Sequence, residues 1–144
     1  MKNALVSLVL LLVGGTIINA QSDSSDPQVL DAYVKATDGL FYVLIPENNG
    51  LVDEAKANVV SYNEHQGLIS LRVSHIRLDD FQLGEVNYLV VRRFDSSMAA
   101  QEYIKQIHAE PAMAELETMV ISQANYRKFL KKKDLEEYIL FLGL

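Results

Sequence analysis

The order of apolar runs and turn residues predicts an α+β fold, a four-stranded antiparallel sheet in the ferredoxin-like order β-α-β-β-α-β with a helical C-terminal tail. Three observations carry this expectation. Residues 40–45 form a dense apolar and aromatic run closed by Pro46, Asn48, Asn49 and Gly50. Residues 68–94 hold two strand-like runs around a turn, and the stretches after each block repeat apolar residues at helical spacing.

The chain opens with Lys2, an apolar run over residues 4–13, Gly14-Gly15 and a small-residue stretch ending at Ala20. That is the plan of a secretory signal peptide, with cleavage expected after Ala20 and Gln21 left at the new terminus. The run is shorter than the roughly 20 apolar residues a membrane span needs, so no integral span is expected after cleavage. The expected address is periplasmic or extracellular. Disulfides form there, yet the chain has no cysteine, so its stability must come from a packed core.

Residues 21–39 read as an N-terminal tail and a short helix. Residues 22–27 are polar and acidic, whereas Val29, Leu30, Tyr33 and Val34 recur at helical spacing before Asp38-Gly39. The ferredoxin-like domain is expected over residues 40–144. Its first strand is the run at 40–45, apolar on both sides and so a buried central strand. A helix follows over residues 51–66, with Val52, Ala55, Val59 and Tyr62 on its inner face, Asn63 among the polar residues elsewhere, and Gly67 as its stop signal.

Strand runs at 68–78 and 85–94 flank Asp79, Asp80 and Gly84, which predicts a hairpin. In the second run Val86, Tyr88, Val90, Arg92 and Phe94 fall on one face, and Asn87, Leu89, Val91 and Arg93 on the other. Asp95, Ser96 and Ser97 offer N-cap chemistry for a helix burying Ala100, Tyr103, Ile104 and Ile107, before Pro111 breaks the pattern. Residues 118–121 form a fourth strand. Ser122 and Asn125 can cap a helix running to the lysines, and Asp134 opens a last helix carrying Leu135, Tyr138, Ile139, Phe141 and Leu142. Two helices then cover one face of the sheet, and the other face needs a cover from the last helix, from residues 29–36, or from a partner.

Charge and motif content bound the function. With 13 Lys and Arg against 19 Asp and Glu, the chain is acidic overall, which suits neither nucleic acid nor an anionic membrane. His65, His75 and His108 form no paired ligand motif, and the serines lie in no nucleophile elbow. The acidic pairs Asp53-Glu54, Asp79-Asp80 and Glu136-Glu137 are adjacent in sequence, so they point apart and form no facing acid/base dyad. The expectation is a non-enzymatic protein with no catalytic residue, no cofactor and no metal site. Its partner is expected to be a protein of the cell envelope, bound through the sheet face or a strand edge. A second contact candidate is the basic-aromatic stretch of Tyr126, Arg127, Phe129, Lys131 and Lys132.

The motifs Phe41-Tyr42-Val43-Leu44-Ile45-Pro46, Phe94 with Ala100-x-x-Tyr103, Val120-Ile121-Ser122-x-x-Asn125-Tyr126 and Lys133-Asp134-x-x-x-Tyr138-x-x-Phe141 carry a family likeness. Over residues 40–142 the chain resembles the C-terminal domain of the tetratricopeptide-repeat proteins of Bacteroidetes gliding motility and type IX secretion. Those proteins carry repeats and a lipid-bearing cysteine that this chain lacks. The resemblance implies a free-standing envelope interaction domain and carries over no catalytic residue. Two rivals remain beside it: a propeptide-type protease inhibitor, which needs an extended C-terminal tail, and a peptidoglycan-binding module.

Overall fold

The computed structural model describes residues 32–47 and 49–144; the leader and the tail through residue 31 lie outside them. Their elements are β1 (Phe41–Glu47), α1 (Val52–His65), β2 (Arg72–Asp80), β3 (Gly84–Phe94), α2 (Ser97–His108), β4 (Met119–Ser122), α3 (Gln123–Lys132) and α4 (Leu135–Leu142). The four strands make one antiparallel sheet in the order β2-β3-β1-β4. The chain is thus α+β and ferredoxin-like with a helical C-terminal tail, as its apolar patterning predicts.

Local chemistry explains the boundaries. β1 runs on through Pro46, because β4 pairs only with Phe41 to Leu44 and Pro46 has a strand neighbour, Tyr88 of β3, on one side alone. A missing N–H costs nothing on an open side. α1 ends where Gly67 turns left-handed, with Leu68 N–H bonded to Asn63 O at 2.8 Å and Gly67 N–H to Glu64 O at 3.1 Å. That is a Schellman stop. Ser96, Ser122 and Asp134 cap α2, α3 and α4 through bonds from Ala99, Asn125 and Glu137 N–H at 3.0, 3.2 and 2.9 Å.

Both faces of the sheet are covered. Against α1 and α2 pack Phe41, Val43, Ile45, Leu89, Val91 and Phe94. Against α3 and α4 pack Tyr42, Leu44, Val86, Tyr88, Val90 and Ile121, joined there by Tyr33. β1 and β3, apolar on both sides, lie in the middle of this three-layer stack, which is where such strands belong.

Three expectations need correction. Phe94 faces α1 and α2, opposite to Arg92, because Arg93 at φ 84° is an extra residue in the β1–β3 register and switches the alternation. Asn63 is buried on the inner face of α1, where its Oδ1 accepts the Tyr103 hydroxyl at 2.9 Å. Residues 32–39 contain no helix; Val34 N–H and C=O instead bond the side-chain amide of Asn125 at 3.0 and 2.8 Å. Asn125 offers the backbone both a donor and an acceptor, so an unpaired segment is held as if by a strand. Residues 29–31 of the expected helix lie outside the described ones.

Candidate interaction surface

Helix α3 divides the basic-aromatic stretch by its own periodicity. Tyr126 and Phe129, three residues apart, share the inner face and are 5% and 0% exposed. Phe129 meets Tyr88 edge-on at 5.4 Å, and Tyr126 meets Tyr42 at 5.2 Å. The Arg92 guanidinium lies 5.6 Å from the Tyr42 ring centre and 5.4 Å from that of Tyr126, and donates to the Tyr126 hydroxyl at 3.2 Å. Burial pushes the Tyr126 phenol above its ordinary pKa, with Arg92 opposing the shift.

Tyr126 and Phe129 are therefore core residues, and no partner reaches them while α3 is docked. Arg127 and Lys131 are exposed. Lys132 is already engaged, 2.6 Å from Glu137 Oε1 and 5.5 Å from the Tyr33 ring centre. Among the described residues the stretch thus offers two cations without a partner, Arg127 and Lys131, and no exposed aromatic ring.

The sheet face, one of the two contact alternatives, is closed as well, since α3, α4 and Tyr33 provide the cover it needs. Tyr138 is its deepest anchor on the C-terminal side, 1% exposed and packed edge-on to Tyr33 at 4.9 Å. The sheet's two lateral edges remain, and they differ. β4 is four residues long, and the Tyr138 hydroxyl donates to its Val120 carbonyl at 2.8 Å.

β2 is nine residues long and pairs with β3 alone. Among the described residues no other backbone segment bonds to residues 72–80. An open row of N–H and C=O groups is a template for another strand. Its C-terminal end is held rigidly. Asp80 is buried, its Oδ1 accepts from Gln82 and Leu83 N–H at 2.9 Å each, and its Oδ2 accepts from Leu135 N–H at 2.8 Å. Phe81 N–H adds a bond to Lys133 O at 2.7 Å, so the hairpin turn is stapled to the α3–α4 junction. With these bonds Asp80 serves the turn, while its neighbour Asp79 is exposed.

Beside the N-terminal end of β2 runs a groove of about 320 Å3 between α1 and the strand, lined by Val60, Leu68, Ile69, Leu71 and Val73 together with the polar Asn63, Glu64 and Arg72. Leu68, Leu71 and Val73 sit at the margin of the core shared with α1 and α2. Around the edge, Ile69 and Phe81 are each 84% exposed and Leu83 is 50% exposed. These three residues stand in the loops that begin and end β2. Large apolar side chains thus stand in water at both ends of the open strand, and the groove lies at one of them. Periodicity could not reveal it, because the groove exists only once α1 has docked beside β2.

The face of the hairpin beyond the helices is polar. His75 Nε2 meets Asn87 Oδ1 at 2.8 Å, and Arg77 Nε lies 3.6 Å from Glu85 in an exposed ion pair of the kind worth about 0–1 kcal/mol. Among the described residues no group of three or more His, Asp or Glu side chains is placed to hold a metal ion, and no helix is long and apolar enough to cross a membrane. The Ser122, Asn125 and Tyr126 motif that carries the family likeness is occupied by a helix cap, a backbone clasp and core packing. No family model, curated protein or solved structure matches the chain.

Proposed function

We propose that this chain is a non-enzymatic interaction module of the cell envelope that takes an extended protein segment as an added strand along β2. The observation that carries the reading is the pairing of an open nine-residue strand edge with a groove of mixed apolar and polar lining on its α1 side. Strand addition draws affinity from main-chain hydrogen bonds and specificity from pockets that receive alternate side chains, and β2 with its groove offers both. The leader-like residues 1–20 support an address outside the cytoplasm, and the resemblance to envelope-complex domains supports a role beside secretion or motility machinery. Residues 135–142 fold as α4 and so give the inhibitor reading no extended segment there.

Photo-crosslinkers placed singly at His75, Arg77, Arg127 and Lys131, followed by mass spectrometry from the native envelope, test this directly. Protein adducts from positions 75 and 77 are expected. Adducts from 127 and 131 alone would move the surface to α3, and recovery of glycan strands would replace the reading with peptidoglycan binding.

A further inference from the structure

We infer that Asn49 is a self-modification site: in the turn between β1 and α1 its side-chain amide is converted to a carboxylate through a cyclic imide closed by the backbone nitrogen of Gly50. The inference is independent of the strand-addition reading.

Such a conversion needs three conditions at one place. The peptide nitrogen of the next residue must reach the asparagine side-chain carbon, it must be able to lose its proton, and no helix or strand ladder can hold the two apart. Asn49-Gly50 meets all of them. Both residues are exposed and lie in a bend outside β1 and α1. Gly50 has no side chain to crowd the attack, and the space where a Cβ would stand holds no heavy atom within 4 Å. Among the described residues no hydrogen bond engages the Gly50 N–H, whereas the Asn49 N–H donates to Glu47 Oε1 at 2.9 Å and anchors the turn on its β1 side.

The remaining described asparagines meet none of these conditions. Asn58 and Asn63 stand in α1, Asn87 in β3 and Asn125 in α3, followed by Val59, Glu64, Tyr88 and Tyr126. Regular φ and ψ keep the next nitrogen away from the side-chain carbon there, and each following residue carries a side chain.

The Gly50 nitrogen, its proton taken by hydroxide, forms a bond to Asn49 Cγ. The Cγ–Nδ2 bond breaks, and ammonia leaves with a proton from water. Water then opens the five-membered imide at either carbonyl, which leaves aspartate or, with the main chain rerouted through Cβ and Cγ, isoaspartate. No oxidant or reductant enters. Asn49 shares a cleft of about 190 Å3 with Glu47, Glu115 and Glu117, so the product adds a like charge to this group and weakens the contact between the turn and residues 115–117.

The test is incubation of the folded chain for several weeks in mildly alkaline buffer, below the pH of about 10 at which free phenols ionise, followed by peptide mapping by mass spectrometry. Position 49 should exchange its amide for a carboxyl, in both aspartate and isoaspartate forms, at least about ten-fold faster than Asn58, Asn63, Asn87 or Asn125. The rate should rise with pH, because the attacking nitrogen must lose its proton. Gly50→Ala should slow the conversion by at least about ten-fold, since its methyl group obstructs ring closure. Should that variant fail to fold by circular dichroism, φ being 74° at this position, Asn49→Gln makes the same test through a side chain that must close a six-membered ring. An unchanged Asn49, a conversion no faster than at the other four asparagines, a rate flat with pH, or a rate that the folded variant leaves unaltered overturns the inference.

Discussion

The two faces of the sheet are built by different means. The face under α1 and α2 is mostly aliphatic, with Val43, Ile45, Val59, Leu89, Val91 and Ile107 fully buried, and its helices arrive through the regular strand-helix-strand path. The face under α3 and α4 is aromatic and polar-anchored. Tyr42, Tyr88, Tyr126, Phe129 and Tyr138 interlock there, and Asp80, Asn125 and Lys132 fix the covering segments by hydrogen bonds or ion pairing. Aliphatic packing is non-directional, so the first face needs only volume. The second cover is added after the sheet is complete and depends on directed bonds to hold it in place.

Breaking that second face where it is deepest should have the largest effect. Phe129→Ala should destabilise the chain by about 3–5 kcal/mol, measured by denaturant unfolding, because it opens a cavity beneath α3. Retained stability would place α3 outside the core. Removing the staple comes next. Asp80→Ala leaves three backbone N–H groups without their acceptor and should cost about 2–3 kcal/mol. Asn125→Ala should cost about 1–2 kcal/mol, and native-state hydrogen exchange should show faster opening around residues 33–36 with the α1–α2 side unchanged. Uniform acceleration across both faces would contradict the division drawn between them.

The faces should also differ in alkali. Burial raises the phenol pKa of Tyr33, Tyr88, Tyr126 and Tyr138 on the aromatic face and of Tyr103 beneath the helices α1 and α2. A phenol that is harder to ionise folded than unfolded contributes stability that is complete below its unfolded pKa of about 10 and is lost as pH rises beyond it. Unfolding midpoints should therefore fall above about pH 10, and Tyr138→Phe, with one phenol fewer, should soften the fall. The smallest effect belongs to the outer side of α3. Arg127→Glu with Lys131→Glu should change stability by no more than about 0.5 kcal/mol.

Much of the first face was legible in the sequence. The apolar runs of β1 and β3, the stripe Ala100, Tyr103 and Ile107, and the cap at Ser96 follow from spacing and local hydrogen-bonding chemistry, as do the caps at Ser122 and Asp134 on the second face. What spacing alone could not supply was anything decided by a distant partner. Asn63 reads as a surface residue until Tyr103 arrives from α2 to bond it, and Arg93 reads as one more alternating residue until its left-handed backbone adds a bulge. Tyr126 and Phe129 could have been assigned inward from their three-residue spacing, but the surrounding lysines drew attention to the opposite face of the same helix. The surface at β2 was foreseen only as a strand edge. Its groove joins residues from α1 to residues from β2, and Ile69, Phe81 and Leu83 look like ordinary core positions until the fold leaves them in water.

The Tyr138 hydroxyl on the Val120 carbonyl makes the two borders of the sheet unequal. A sheet with two open borders is a monomer unit for a fibre, since every copy added exposes a fresh border identical to the one it covered. Here β4 is short and its Val120 carbonyl is already engaged, leaving β2 as the long border available for docking. The same tyrosine that anchors α4 therefore makes the β4 border a poorer template for an added strand than the β2 border.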